Sequence, residues 1–181
     1  APLARALSLI VAVATFAVTI PLFAGFNPDT TAMQYVELHD WIPAFNIHYH
    51  LGIDGISLLL VLLTSFTTIL VVIAGWQVIQ EKVAQYLAAF LIMEGVMIGV
   101  FAALDAILFY VFWEAMLIPM FVIIGMWGGS NRVYATIKFF LYTLLGSVLM
   151  LVAFLYLYQH AGKTFDTRAF YDVRLGLTEQ I

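Results

Sequence analysis

The segment Ile107-Leu108-Phe109-Tyr110-Val111-Phe112-Trp113-Glu114-Ala115-Met116-Leu117-Ile118-Pro119-Met120 carries a single charge in an otherwise apolar run. The run extends from Ala106 to Trp127, and about 20 such residues span the hydrocarbon core of a bilayer as a helix. A carboxylate near the middle of such a helix costs about 2.5–3.5 kcal/mol on insertion scales, so its default place is against other helices or water. Pro119 follows one turn later. It has no N–H to give the carbonyl of Ala115, and this loosens the helix beside the acid.

Composition extends the reading to the whole chain. Of 181 residues, 64% are apolar and 10% charged, with a mean hydropathy of +1.03. Soluble domains carry roughly 25% charged residues, so the chain reads as an all-α polytopic membrane protein, and no soluble-enzyme reading survives. The 15% aromatic content suits interfacial belts. The absence of cysteine excludes disulfides, thiolate metal sites and cysteine nucleophiles. No Gly-rich phosphate loop or dinucleotide fingerprint is present, and no nucleic-acid partner is expected. The chain begins with Ala1, and the run Leu7–Ala24 is preceded only by Arg5. That run exceeds a signal h-region of about 7–15 residues, so a chain that begins within a larger protein is the better expectation.

Apolar windows predict five spans near Leu3–Ala24, Ile53–Trp76, Tyr86–Leu104, Ala106–Trp127 and Val133–Tyr158. The third and fourth, joined around Leu104-Asp105, are expected to be antiparallel neighbours. Gly128-Gly129-Ser130-Asn131 stops the fourth. The stretch Phe26–Gly52 carries three histidines, Asp29, Glu37 and Asp40 but no Lys or Arg. In it Phe45, Ile47, Tyr49 and Leu51 alternate with Asn46, His48 and His50, a period of two that predicts a strand. Pairing with Gln34–His39 across a turn at Asp40–Ala44 gives a small β-hairpin at the membrane surface. With Ala1 cytoplasmic, Arg5, Lys82 and Arg132 lie on the positive side and the hairpin outside. Lys163, Arg168 and Arg174 then fall in an external tail, against the rule for short loops.

Five ionisable groups lie in or beside the spans. Asp54 and Asp105 stand where a carboxylate accepts from free N–H groups at a helix start. Lys138 lies about 8 Å into the fifth span at 1.5 Å per residue, where it either snorkels to the interface or serves as a partner for an acid. Glu94, near the centre of the third span, either stays protonated against a neighbouring helix or acts as a relay. Glu114 is the strongest candidate for a proton carrier. Burial favours the neutral form of a carboxyl and a nearby cation favours the charged form, so a moving cation makes such an acid capture or release a proton. His48 and His50 share one side of a strand, but two ligands without a third make a metal site weak, and they read as interfacial polar residues.

Three segments, in order, bear a resemblance. These are His50-Leu51-Gly52-Ile53-Asp54-Gly55-Ile56-Ser57-Leu58, Phe112-Trp113-Glu114-Ala115-Met116-Leu117-Ile118-Pro119-Met120 and Lys138-Phe139-Phe140-Leu141-Tyr142-Thr143. They resemble the antiporter-like, proton-translocating membrane subunits of respiratory complex I, most of all the subunit M branch of the bacterial enzyme. The resemblance covers about Trp41 to Tyr158. It places the family's essential membrane glutamate on Glu114 and a family aspartate on Asp105, and it sets Lys138 where bacterial members often have lysine. It implies a single transmembrane domain within a larger subunit of about fourteen helices, in the bacterial inner membrane beside other membrane subunits of complex I. The complex couples NADH-to-quinone electron transfer to proton export. NADH, FMN, iron–sulfur clusters and quinone would belong to other subunits, with no cofactor in this chain.

The family's partner lysine on a later helix would lie beyond Ile181, so a fragment of this extent is not expected to pump alone. A subunit of a multisubunit cation/proton antiporter is the alternative, and a structural membrane module with no ion path is the third reading.

Overall fold

The computed structural model describes residues 2–176. In chain order it contains α1 (Pro2–Ala24), β1 (Gln34–Ile42), β2 (Ile47–Ile53), α2 (Gly55–Val78), α3 (Val83–Ala102), α4 (Ala106–Trp127), α5 (Arg132–His160) and the short α6 (Thr167–Phe170). The first five helices are long and apolar enough to cross a membrane. The chain is a multi-pass helical membrane protein with one small antiparallel hairpin.

Local chemistry sets the helix ends. Asp54 accepts from the Ser57 N–H at 2.7 Å while Ser57 Oγ accepts from the Asp54 N–H at 2.8 Å, a reciprocal capping box. The cap starts α2 at Gly55 and leaves Ile53, expected in the helix, as the last residue of β2. Lys82 takes a left-handed conformation (φ 50°) and α3 starts directly after it at Val83 rather than Tyr86. It ends at Ala102, because Ala103 turns extended and bridges to Leu51.

The hairpin's turn lies later than expected. β1 continues through Asp40, Trp41 and Ile42, and the chain reverses in a 3₁₀ turn, Pro43–Phe45. Pro43 presets the first residue of that turn. Asn46 takes the left-handed conformation (φ 54°) and donates its N–H to the Pro43 carbonyl at 3.1 Å. Phe45 therefore leaves the strand. The register pairs Asp40 with His48 and Leu38 with His50, with irregularities between Gln34 and Glu37 and between Asp40 and Ile42.

In the membrane, helices associate through close packing of small residues and occasional hydroxyl bonds. α1 meets α2 in this way: Ala12 packs in one cluster with Val72, and the Thr19 and Ser65 hydroxyls lie 3.4 Å apart. Gly99 does the same between α3 and α4, since a Cβ there would stand 2.9 Å from the ring of Phe112. At one end of the bundle Arg5 donates to the Ile79 carbonyl at 2.8 Å, and Trp127 Nε1 donates to the Glu81 carbonyl at 3.0 Å. The α2–α3 and α4–α5 connections, with Lys82 and Arg132, belong to that end. The opposite end holds the hairpin, the α3–α4 link and the segment after α5. Ala1, on which the topological expectation was phrased, lies outside the described residues.

The α3–α4 link is held on both sides. The Leu104 N–H donates to the His50 carbonyl at 2.8 Å, and the Leu104 carbonyl accepts from the Thr167 N–H at 2.9 Å. The Ala106 N–H donates to the Phe165 carbonyl at 2.8 Å. Gly52 permits this approach, because a Cβ there would meet Leu104 Cδ1 at 2.6 Å.

Candidate functional site

Glu114 lies in the interior of α4, half-buried, and its Oε1 is buried with no hydrogen-bond partner. One turn earlier on the same helix the Tyr110 hydroxyl lies within interaction range of both Glu114 and Ser147 of α5. Ser147 is buried and donates its hydroxyl to the Leu144 carbonyl at 3.0 Å. The site is thus an acid, a phenol and a serine across the α4–α5 contact. Sequence reasoning missed Tyr110 and Ser147. The i, i+4 spacing of Tyr110 and Glu114, which sets two side chains on one helical face, was the available signal for the first.

Glu94, on α3, is 4% exposed, and its Oε1 too has no hydrogen-bond partner. It lines a pocket bounded by α2 and α3, whereas Glu114 lies beside Tyr110, whose hydroxyl also reaches towards Ser147. Lys138 is exposed on α5, with its Nζ 5.8 Å from the Tyr134 ring centre and 6.0 Å from that of Tyr142. Both rings stand one turn away on its own helix, and such contacts stabilise by about 0.5–1 kcal/mol at exposed sites. Among the described residues no ion pair joins Lys138 to Glu114; the ion pairs all belong to the hairpin and the segment after α5. The three membrane-embedded charges therefore occupy three separate surroundings.

Asp105 lies at the hairpin end and is 1% exposed. Its Oδ1 accepts from the N–H groups of Ile107 and Leu108 at 2.9 and 3.1 Å, capping α4, and its Oδ2 accepts from the His48 N–H at 3.0 Å. Burial raises its pKa, opposed by these three backbone donors. The Ser57 N–H lowers the pKa of the other cap, Asp54.

His50 is buried, at 5% exposed, rather than interfacial. β2 lies between the α3–α4 link and β1, so both of its edges are paired. Its Nδ1 lies 4.0 Å from Asp166 Oδ2, and Asp166 forms a two-point pair with Arg168 at 3.1 and 2.7 Å. Burial lowers the pKa of His50, against the pull of Asp166. For Asp166, burial pushes upward but the Arg168 hydrogen bonds and charge prevail and lower it. His48 Nε2 lies 3.5 Å from Asp40. Among the described residues no cluster of three or more His, Cys, Asp or Glu side chains is arranged to hold a metal ion.

The model of the family described as NADH-ubiquinone oxidoreductase chain 4, amino terminus, matches residues 6–102, and that of NADH:quinone oxidoreductase/Mrp antiporter, TM, matches residues 103–175. The chain belongs to the NADH-ubiquinone oxidoreductase chain 4 family. Relatives in it include NADH-quinone oxidoreductase subunit M of Rhodobacter capsulatus, 53% identical over 161 residues, which are 89% of this chain and 31% of the relative. NADH-ubiquinone oxidoreductase chain 4 of Arabidopsis thaliana is 45% identical over 163 residues, 90% of this chain and 33% of the relative. The chain thus spans about a third of the length of these curated relatives.

Among solved structures, respiratory complex I from Thermus thermophilus with bound NADH holds a chain 31% identical, with a TM-score of 0.84 over 95% of this chain and 35% of that one. The Mrp complex from Dietzia sp. shares the fold at a TM-score of 0.76 and 18% identity, over 88% of this chain and 17% of that one.

Proposed function

We propose that this chain is part of a non-redox, proton-translocating membrane subunit of a bacterial NADH-quinone oxidoreductase, with Glu114 as the proton-carrying acid. The observation that carries the proposal is the Glu114 carboxyl inside α4, with one oxygen buried and unpartnered and the Tyr110 hydroxyl beside it. A carboxyl held so far from bulk water is costly unless it is used, and a hydroxyl at hand gives its proton somewhere to go. The similarity to subunit M of R. capsulatus supports the same reading.

In this proposal the bacterial inner membrane surrounds the five helices, with the Arg5, Lys82 and Arg132 end in the cytoplasm. Other membrane subunits of complex I cover the exposed helix faces. NADH, FMN, the iron–sulfur clusters and quinone sit in other subunits, and this chain binds no cofactor. Asp105 fixes the start of the helix that carries Glu114. Lys138 serves as a mobile cation, and residues 1–181 alone do not pump. A multisubunit cation/proton antiporter subunit is the second reading, favoured by the fold shared with the Mrp complex.

The experiment is NADH-driven acidification of membrane vesicles, followed beside NADH oxidation, with Glu114→Gln in the complete subunit. The expected result is loss of pumping and of coupled turnover in a complex that still assembles. Unchanged pumping overturns the assignment of Glu114.

A further inference from the structure

Glu94 opens a second question, because its surroundings differ from those of Glu114. Between α2 and α3 lies a half-open pocket of about 250 Å³. A water molecule takes about 30 Å³ of liquid, so the space admits several. Glu94 lines it and is only 4% exposed; its Oε1 is fully buried and has no protein partner. An unpartnered buried polar atom costs about 1–3 kcal/mol, and nothing in the wall relieves that cost.

The rest of the wall limits what fills the space. Thr64 and Thr68 contribute hydroxyls that donate backwards to the carbonyls of Leu60 and Thr64, at 2.8 and 3.0 Å. With those hydrogens committed, the two hydroxyls offer lone pairs to the cavity. Thr67 brings a third hydroxyl to the wall, so the occupant must donate hydrogen bonds and can also accept them. Apolar side chains such as Leu63, Phe90 and Met97 form most of the remaining wall. A bare metal cation would find a carboxylate and three threonine hydroxyls, those of Thr64, Thr67 and Thr68, still short of the oxygen shell of about six or more that hard cations require. Water meets every condition: it donates to Thr64 and Thr68 and both accepts from and donates to a carboxyl.

We propose that the α2–α3 pocket is a water-filled site in which Glu94 exchanges its proton with water held against it, as a second proton-loading carboxyl apart from the Glu114 site. In the step, the carboxyl O–H bond breaks and an O–H bond forms on a cavity water. Carboxylate and hydronium remain until the proton passes on or returns. The inference rests on the proton-translocating reading for its purpose, but the hydrated site itself stands on geometry.

The test is infrared spectroscopy of the purified full complex in H₂O and in D₂O, comparing the unaltered protein with Glu94→Gln, Glu94→Asp and Thr68→Val. A protonated-carboxyl band that vanishes in Glu94→Gln and shifts down in D₂O is the expected result. Glu94→Asp retains an exchanging band, and Thr68→Val slows the exchange by about five-fold, the factor of one ordinary hydrogen bond. Absence of any Glu94-dependent carboxyl band, or a band that does not move after prolonged D₂O exposure, overturns the proposal. Protons exported per NADH are measured on the same samples and fall in Glu94→Gln. An exchanging band in a complex whose pumping survives Glu114→Gln would keep the hydrated site and sink the function proposed for Glu114. An unmoving band with pumping lost in Glu114→Gln would do the reverse.

Discussion

The carboxylate of Asp105 holds the backbone of His48. Its Oδ2 accepts the His48 N–H at 3.0 Å while its Oδ1 caps α4 through Ile107 and Leu108. One buried side chain therefore fixes both the start of the helix bearing Glu114 and the position of β2 above it.

This arrangement makes Asp105→Asn a specific lesion. An asparagine oxygen keeps the cap, but its amide group then faces the His48 N–H, donor against donor. The expected loss is about 1–3 kcal/mol of stability, read as a lower melting midpoint in detergent and faster amide exchange at His48. Equal midpoints for the two proteins would show that the His48 bond contributes nothing.

The contact of α3 with α4 depends on Gly99, over which the ring of Phe112 lies. Gly99→Ala is expected to destabilise by about 1–3 kcal/mol through overpacking. Phe112→Leu, which removes the facing ring, should lessen the penalty in the double variant. A double-mutant cycle of thermal midpoints measures the coupling; additive effects would place the two residues out of contact.

At the hairpin end, acid should loosen the clasp around His50. Its pKa is lowered from 6.5, burial first, so the folded chain resists a proton that the unfolded chain accepts. Stability is then complete above the unfolded value. It falls as pH drops below 6.5 and stops falling once His50 is protonated in the folded chain too. Asp166 and Asp105 oppose the effect, while Arg168 and His48 add to it. Exchange of the Leu104 amide, which donates to the His50 carbonyl, should quicken over this range. His50→Gln should flatten the profile, and a flat profile in the unaltered protein would remove His50 as its cause.

Tyr110→Phe removes the hydroxyl within reach of Glu114 and Ser147. One hydrogen bond is worth about 1 kcal/mol, so coupled turnover should slow about five-fold while assembly is unaffected. A structural role alone would lower the melting midpoint and leave the proton-to-NADH ratio unchanged. The ratio is therefore measured beside the rate.

The five spans were legible because lipid imposes a length and a composition on every crossing segment, and Ala106–Trp127 meets both on its face. The acids at Asp54 and Asp105 could be read as helix starts, since capping is local chemistry within three residues. The hairpin's turn was misplaced because Pro43 and Asn46 act through backbone conformation, which a hydropathy pattern does not register. What surrounds each charge belonged to the tertiary structure alone. Lys138 rests on its own tyrosines, Glu94 faces the pocket between α2 and α3, and Glu114 lies beside Tyr110. The burial of His50 came from residues 103–106 and 165–168 closing around β2. Hydropathy marks which segments leave water. Which side chains then meet is decided by how each helix turns about its axis and which neighbour it packs against.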